Sequence, residues 1–361
     1  VKNSSFRVAL MPGDGIGVEV IEACVAVLEK LQAGGSGFAL AFDRLEAGAM
    51  HYKASGTAMS DETFRRAAEA DAILLGAMGW PEIRYPDGTE IAPQLDLRFR
   101  LELYAGVRPI RALPGMPVAL ADPRARDIDF VLLRESTEGL FASRGRGELI
   151  GDSEARDTQV ITRGVSERLF DFAFGLAADR KARGGKGHVT CVDKANVFRS
   201  FAFFRKIFDE RAARHPGLSA SHHYVDACAL DMIRRPWDFD VLVTENMFGD
   251  ILSDLAAGLI GGMGFAPSAD VGDKHAVFQP SHGTAPDIAG QGKANPTATF
   301  LSAALMLRWL GERHAVPAAV AAAARLEGAV DAAFGSGTVR PFDAGGRDGT
   351  GSVTKAVIDR L

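Results

Sequence analysis

Two periods of apolar residues organise the chain. Short apolar runs over residues 6–10, 38–45, 72–75, 106–110, 130–134, 188–192 and 241–244 read as buried strands. Between them, Val20, Cys24, Val27 and Leu31 recur at helical spacing, with Ile21 and Leu28 widening the stripe. Ser60 reads as the N-cap of a helix running to residue 70. Further helices are predicted over 166–181, 196–211, 297–310 and 317–334. The second of these carries Phe198, Phe201, Phe204 and Phe208 as core residues. Strands that alternate with helices predict an α/β fold with a largely parallel sheet.

Composition narrows the class. The chain has 361 residues, 47% hydrophobic and 24% charged, which excludes a disordered or fibrous protein. That length suits one large domain or two ordinary ones. No linker divides it, so a second domain is expected as an insertion within the first. Cys24, Cys191 and Cys228 stand far apart with no CxxC spacing. This predicts a reducing, cytoplasmic setting, without disulfides or structural zinc. No apolar run is long enough to span a membrane, and residues 1–10 show no secretory pattern. A net charge of −5 without a Lys/Arg block argues against nucleic acid as a partner.

Chemistry concentrates in a few segments. Asp250 and Asp254, four apart, share one face if the segment is helical, and the neighbouring Ile251, Leu252 and Leu255 predict that this helix is buried. Oxygen donors alone suit Mg²⁺ or Mn²⁺ better than zinc, although a solvated acidic face fits the spacing equally well. Asp226 is a lone acid after a strand. His282-Gly283-Thr284-Ala285-Pro286-Asp287 forms a rigid loop of small residues, followed by Asn295-Pro296, where backbone can approach a ligand closely. An Asp there can accept from a ribose 2′-hydroxyl and repel a 2′-phosphate, favouring NAD over NADP. The Gly13-x-Gly15-x-Gly17 run imitates a dinucleotide fingerprint but has the wrong spacing. Arg98, Arg108 and Arg134 together suit bidentate capture of a dicarboxylate. Lys194 follows a strand, a usual place for a catalytic group. Residues 143–162 are polar and Gly/Arg-rich, and read either as a solvent loop or as an arm that pairs with a partner subunit.

Taken in order, these segments resemble the β-decarboxylating dehydrogenases, the isocitrate/isopropylmalate dehydrogenase family. The motifs that carry the resemblance are Val107-Arg108-Pro109, Leu133-Arg134-Glu135-Ser136-Thr137-Glu138-Gly139, Val192-Asp193-Lys194-Ala195-Asn196, Phe248-Gly249-Asp250-Ile251-Leu252-Ser253-Asp254 and His282 to Asp287. They span nearly the whole chain. The resemblance implies a fold that is not a Rossmann fold. A large discontinuous NAD-binding domain (1–103 and 261–361) would hold an inserted dimerisation and metal/substrate domain (104–260), with residues 143–162 as an intersubunit clasp.

The resemblance also implies site roles. Arg98, Arg108 and Arg134 would hold the malate moiety of a 3-substituted (R)-malate. Asp250 and Asp254 would bind Mg²⁺ or Mn²⁺, joined by Asp226 across a homodimer. Lys194, from the partner subunit, would help remove the 2-hydroxyl proton. NAD would take the hydride, contacted by Ile16, Gly76, His282, Gly283, Thr284, Ala285, Asp287 and Asn295. Leu95 and Val197, with Ile91, would form an apolar patch for the substrate's side group, which favours 3-isopropylmalate over isocitrate. D-malate, tartrate or another substituted malate is the alternative. A ligand-binding regulatory subunit is the non-enzyme alternative, disfavoured because Asp226, Asp250, Asp254 and Lys194 are all present. One position departs from the family. Phe141 stands where the relatives have a tyrosine that helps protonate the enolate carbon, and phenylalanine has no exchangeable proton. Three readings follow: another acid or water replaces it, decarboxylation is slowed, or the substrate differs.

Overall fold

The computed structural model describes residues 4–33 and 37–361. The first apolar run extends into strand β1 (Ser4–Gly13). Its side chains alternate, with Val8 and Leu10 entering one core and Ala9 and Met11 another on the opposite face. A strand buried on both faces carries apolar residues at every position, which is why the run shows no polar alternation. Helix α1 (Ile16–Ala33) then buries the predicted stripe from Val20 to Leu31.

After β2 (Phe38–Arg44) come α2 (Ala49–Ser55) and α3 (Asp61–Ala68), and Ser60 caps α3 by accepting from Thr63 N at 3.0 Å. The chain continues through β3 (Ala72–Ala77), α4 (Pro93–Arg100), β4 (Ala105–Arg111) and β5 (Asp129–Glu135). A hairpin of β6 (Glu148–Ile150) and β7 (Glu154–Arg156) follows, then α5 (Arg163–Ala182), β8 (His188–Asp193) and α6 (Arg199–Ala212). Next are β9 (Ser219–Tyr224), α7 (Val225–Arg234), β10 (Val241–Thr244) and α8 (Asn246–Leu259). The last elements are β11 (Pro267–Val271), β12 (Ala276–Pro280), α9 (Thr297–Arg313), α10 (Pro317–Gly335) and α11 (Thr350–Ile358).

Ten strands form one sheet in the order β2-β1-β3-β12-β11-β4-β5-β10-β8-β9. Neighbours are parallel except at the centre, where β12–β11, β11–β4 and β4–β5 are antiparallel. That antiparallel centre separates the fold from a Rossmann sheet, which is parallel through its switch point. Strands on one side of the β11–β4 seam come from residues 4–77 and 267–280, those on the other from 105–244.

Two expectations meet corrections, and one open choice narrows. Helix α6 begins at Arg199, not Asn196, and Phe198 is 52% exposed while Phe201, Phe204 and Phe208 are buried. The cause is local: the buried Asp193 carboxylate accepts from Ala195 N at 2.8 Å, turning residues 194–198 before the helix can start. On α8, Leu252 is buried but Ile251 is 62% exposed, so the helix is buried on one face only. Residues 143–162 are not a featureless loop, because β6 and β7 pair as an antiparallel ribbon whose Leu149 is 82% exposed.

Candidate active site

The three arginines come from three elements and meet at a residue the sequence did not single out. Across the central strands, Asp270 of β11 lies opposite Gly106 of β4, which lies opposite Arg134 of β5. A side chain on Gly106 would collide with Ser136 Oγ at 2.6 Å and crowd Asp270 Oδ1 at 3.1 Å, so the glycine opens the space these groups share. Into it Arg98 of α4 brings Nε, 3.0 Å from Asp270 Oδ2, and Arg108 of β4 brings a terminal nitrogen, 3.3 Å from Oδ1. Gln279 Nε2 (3.1 Å) and Ser136 Oγ (3.4 Å) complete the shell. Burial pushes the Asp270 carboxyl up, but Arg98, Arg108 and Arg134 outweigh it and hold the pKa below the usual range. The guanidinium of Arg134 is lowered to about 10, by burial first and by the charge of Arg98 second.

Helix α8 approaches Arg134 closely because Gly249 has no side chain; a Cβ there would lie 2.6 Å from Arg134 Cβ. Glu245 caps the helix, accepting from Met247 N at 3.0 Å and Phe248 N at 3.3 Å. Asn246 accepts from Arg134 Nε at 2.9 Å and donates to Glu138 O (3.0 Å) and Glu135 (3.4 Å), which fixes its amide orientation. Arg134 also pairs with Asp250. Among the described residues, both terminal nitrogens of Arg98 and one of Arg134 keep no partner, and these are the donors left for an anionic ligand.

Asp250 and Asp254 lie one turn apart on α8. Burial and then the charge of Asp250 push the Asp254 carboxyl up. An acid pair that repels itself, with oxygen donors only, fits a hard divalent cation. Asp226 sits in the first turn of α7, where Lys194 Nζ donates to it at 2.6 Å and holds its pKa down. Among the described residues of one chain no three acidic, His or Cys side chains converge on a metal, so Asp226 does not join Asp250 and Asp254 within the chain.

This arrangement has solved counterparts. The model of the isocitrate/isopropylmalate dehydrogenase family matches residues 7–361. The chain belongs to that family. It is therefore a β-decarboxylating hydroxy-acid dehydrogenase. It is 42% identical over 356 residues to the 3-isopropylmalate/3-methylmalate dehydrogenase of Methanocaldococcus jannaschii, covering 98% of each chain. It is 41% identical to the isocitrate/homoisocitrate dehydrogenase of Thermus thermophilus, covering 99% of each. Its fold superposes on the isocitrate dehydrogenase of Methylococcus capsulatus with a TM-score of 0.83 at 36% identity, covering 98% of this chain and 99% of that one. Overall identity thus does not separate the substrates named for the relatives, and the side-group pocket must.

In this dehydrogenase the loop after β12 is pinned to the start of α1. Ile16 N donates to Thr284 O at 2.8 Å, and Glu19 accepts from Gly292 N and Ala294 N. A Cβ on Gly15 would lie 2.1 Å from Thr284 O, so this glycine serves loop packing and not a phosphate. Ile16 packs with Val20 and Ala294, and Ala285 touches that cluster with φ +37°. Gly76 is buried in β3, where a Cβ would lie 2.3 Å from Pro12 O; it explains close packing of the first turn. Asn295 spends its amide on Asp343 and its carbonyl on Thr297 at the head of α9, which makes it a brace for the loop.

Other loop atoms are free for a ligand. His282 Nδ1 lies 2.9 Å from Gly283 O, while its buried Nε2 has no partner, and burial pushes its pKa down. Gly283 faces open space, and the Asp287 carboxylate has no partner among the described residues. An orphaned buried nitrogen and an exposed, unspent carboxylate on the same loop fit a nucleotide.

A cleft of about 650 Å³ opens at Phe141, lined by apolar Ala92, Leu95 and Leu140 and by charged Arg144, Arg156 and Asp157 among others. The Arg134 guanidinium lies 5.0 Å from the Phe141 ring centroid. The expected patch of Ile91, Leu95 and Val197 does not form within one chain. Ile91 is buried in a separate cluster with Ala49 and Ala58, and Val197 is 59% exposed beside Lys194. The sequence reading missed Asp270, Asn246 and Gln279. A lone carboxylate among the small and apolar residues of Pro267–Val271 was the available signal for Asp270, since such a group is expensive to bury without cations.

Proposed function

We propose that this protein oxidises and decarboxylates a 3-substituted (R)-malate with NAD and Mg²⁺ or Mn²⁺, and that 3-isopropylmalate, a leucine precursor, is its substrate. The observation that carries the reading is the convergence of Arg98, Arg108 and Arg134 beside the Asp250–Asp254 face. The free donors of Arg98 and Arg134 bind the malate carboxylates bidentately. Lys194 accepts the 2-hydroxyl proton as the neutral amine, after the ammonium that pairs with Asp226 has given up its own proton. Asp250, Asp254 and Asp226 of a second subunit would hold a divalent cation, which would supply polarisation of the hydroxy-acid oxygens, and the His282–Asn295 loop would hold NAD as the hydride acceptor. Ala92, Leu95, Leu140 and Phe141 give one side of the cleft an apolar wall that an aliphatic side group would contact, while Arg144 and Arg156 line another.

Because Lys194 and Asp226 do not reach the Asp250 face within one chain, we read the enzyme as a homodimer with shared sites, of residues 1–103 plus 261–361 and an inserted 104–260. Among the described residues no helix is long and apolar enough to cross a membrane, and all three cysteines are free and buried; a cytoplasmic enzyme fits both. The testing experiment is NADH formation with CO₂ release on 3-isopropylmalate, D-malate, the tartrates and isocitrate. Matched NADH and CO₂ from 3-isopropylmalate is expected. Turnover only on D-malate or tartrate would replace the substrate assignment.

A further inference from the structure

A lysine carries its amine on a flexible four-carbon stem, so a lysine that must meet one proton needs restraint at both root and tip. Lys194 has both. At the root, the Asp193 carboxylate is fully buried at the end of β8 and accepts from Ala195 N at 2.8 Å, so one group pins the chain on either side of Lys194. The Lys194 carbonyl in turn accepts from Val197 N (3.0 Å) and Phe198 N (3.1 Å), which closes the turn before α6. At the tip, Lys194 Nζ donates to Asp226 Oδ1 at 2.6 Å and lies 5.9 Å from the centroid of the Tyr224 ring.

Arg205 is common to the two restraints. It stands on α6, beyond the motif that holds Lys194. Its guanidinium grips Asp193 as a fork, with Nε on Oδ2 at 2.8 Å and Nη2 on Oδ1 at 2.7 Å. The same guanidinium lies 5.1 Å from the Tyr224 ring centroid. Strand register brings these partners together. Asp193 of β8 lies opposite Tyr224 of β9, and Tyr224 leads directly into the first turn of α7, which carries Asp226.

A cation that only neutralised a buried carboxylate would need no ring beside it. Tyr224 is 38% exposed and belongs to none of the apolar core clusters. What its ring meets is the Arg205 guanidinium and the Lys194 ammonium, both drawn to its face.

We propose that Arg205 is a positioning residue for the reaction. Through the Asp193 carboxylate it fixes the root of Lys194, and through the Tyr224 ring it limits where the amine can travel. This rests on the reading above of Lys194 as the group that takes the 2-hydroxyl proton, and adds what aims it.

The test is steady-state kinetics on the full chain with NAD, Mn²⁺ and whichever hydroxy acid of the panel above it turns over fastest. Tyr224→Leu leaves the Asp193–Arg205 pair whole. In it kcat falls about tenfold or more, while KM for the hydroxy acid and Kd for NAD stay within about twofold. Proton removal then limits turnover, so the solvent deuterium isotope effect on kcat rises above the parent's. A smaller folded fraction would lower the rate without moving that isotope effect. Arg205→Met shows a fall of about a hundredfold with the same isotope signature, and Arg205→Lys recovers part of it, since lysine keeps the charge but not the fork. If Arg205→Met fails to fold with Asp193 unpaired, Tyr224→Leu and Arg205→Lys decide. Full kcat in any folded variant of the three, or a lowered kcat with the parent's isotope effect, would overturn the inference. Lys194→Ala separates it from the reading beneath it. A Lys194→Ala variant with the parent's rate, or no turnover by the unaltered protein, would overturn the assignment of Lys194, and this inference with it.

Discussion

Asp270 accepts from Arg98 Nε at 3.0 Å in a place where both side chains are almost sealed from water. The same carboxylate serves Arg108, so one negative charge holds two guanidinium groups in register. Asp270→Asn removes that charge and leaves the arginines buried against one another. Loss of one partner of a buried pair costs roughly 3–5 kcal/mol. Denaturant unfolding should show a loss of that size, and a variant as stable as the parent would refute the role.

Glu135 sits beside the cluster, buried, accepting from Thr137 N, Thr137 Oγ1 and Glu138 N. Burial pushes its pKa up to about 7. A carboxyl whose folded pKa exceeds its unfolded value binds its proton more tightly when folded. Stability therefore falls as pH rises from about 4.5 to about 7, by roughly 3 kcal/mol for this group. Glu135→Gln cannot ionise, so its melting temperature should change less than the parent's across that window. Parallel curves would refute the assignment.

Asp250 faces both Arg134 and Asp254. Asp250→Asn should lower Mn²⁺ affinity and metal-dependent turnover by more than about 100-fold. Calorimetric titration with Mn²⁺ separates this from a folding defect. Normal Mn²⁺ binding would sink the metal assignment.

Asp287 carries an unspent carboxylate on the loop after β12. Asp287→Lys should reduce the preference for NAD over NADP by about tenfold to a hundredfold, as expected for a charged hydrogen bond replaced by an attractive site for a 2′-phosphate. The ratio of kcat/KM for the two cofactors measures it, and an unchanged ratio counts against the ribose role.

Phe141 lies against Arg134 and offers no proton. Phe141→Tyr restores an acid at that place. General acids contribute about 10²–10⁴-fold, so the final protonated 2-oxo acid formed per CO₂ released on the enzyme should rise wherever protonation limits the parent. Equal ratios in parent and variant would show that protonation is not limiting.

Several features were legible because they are local. The buried strand β1, the α1 stripe, the Ser60 cap and the acid pair on α8 follow from side-chain period and capping. The motif arginines were legible one by one. Their shared anion was not, because Asp270 is more than 130 residues from Ser136 and more than 160 from Arg98 and Arg108 along the chain. Phe198 misled because helical spacing continues across a turn that the buried Asp193 imposes.

The chain by itself determined an α/β fold, the family and the inventory of charged groups, since these depend on periodicity and on motifs contiguous in sequence. The tertiary structure alone decided which of those charges cancel and which remain available. Only the antiparallel centre of the sheet sets Asp270, Gly106 and Arg134 in one row, and only Asp14 brings α2 to the loop of Trp80. Sequence separation carries no information about such contacts; strand register and a buried carboxylate's need for donors do.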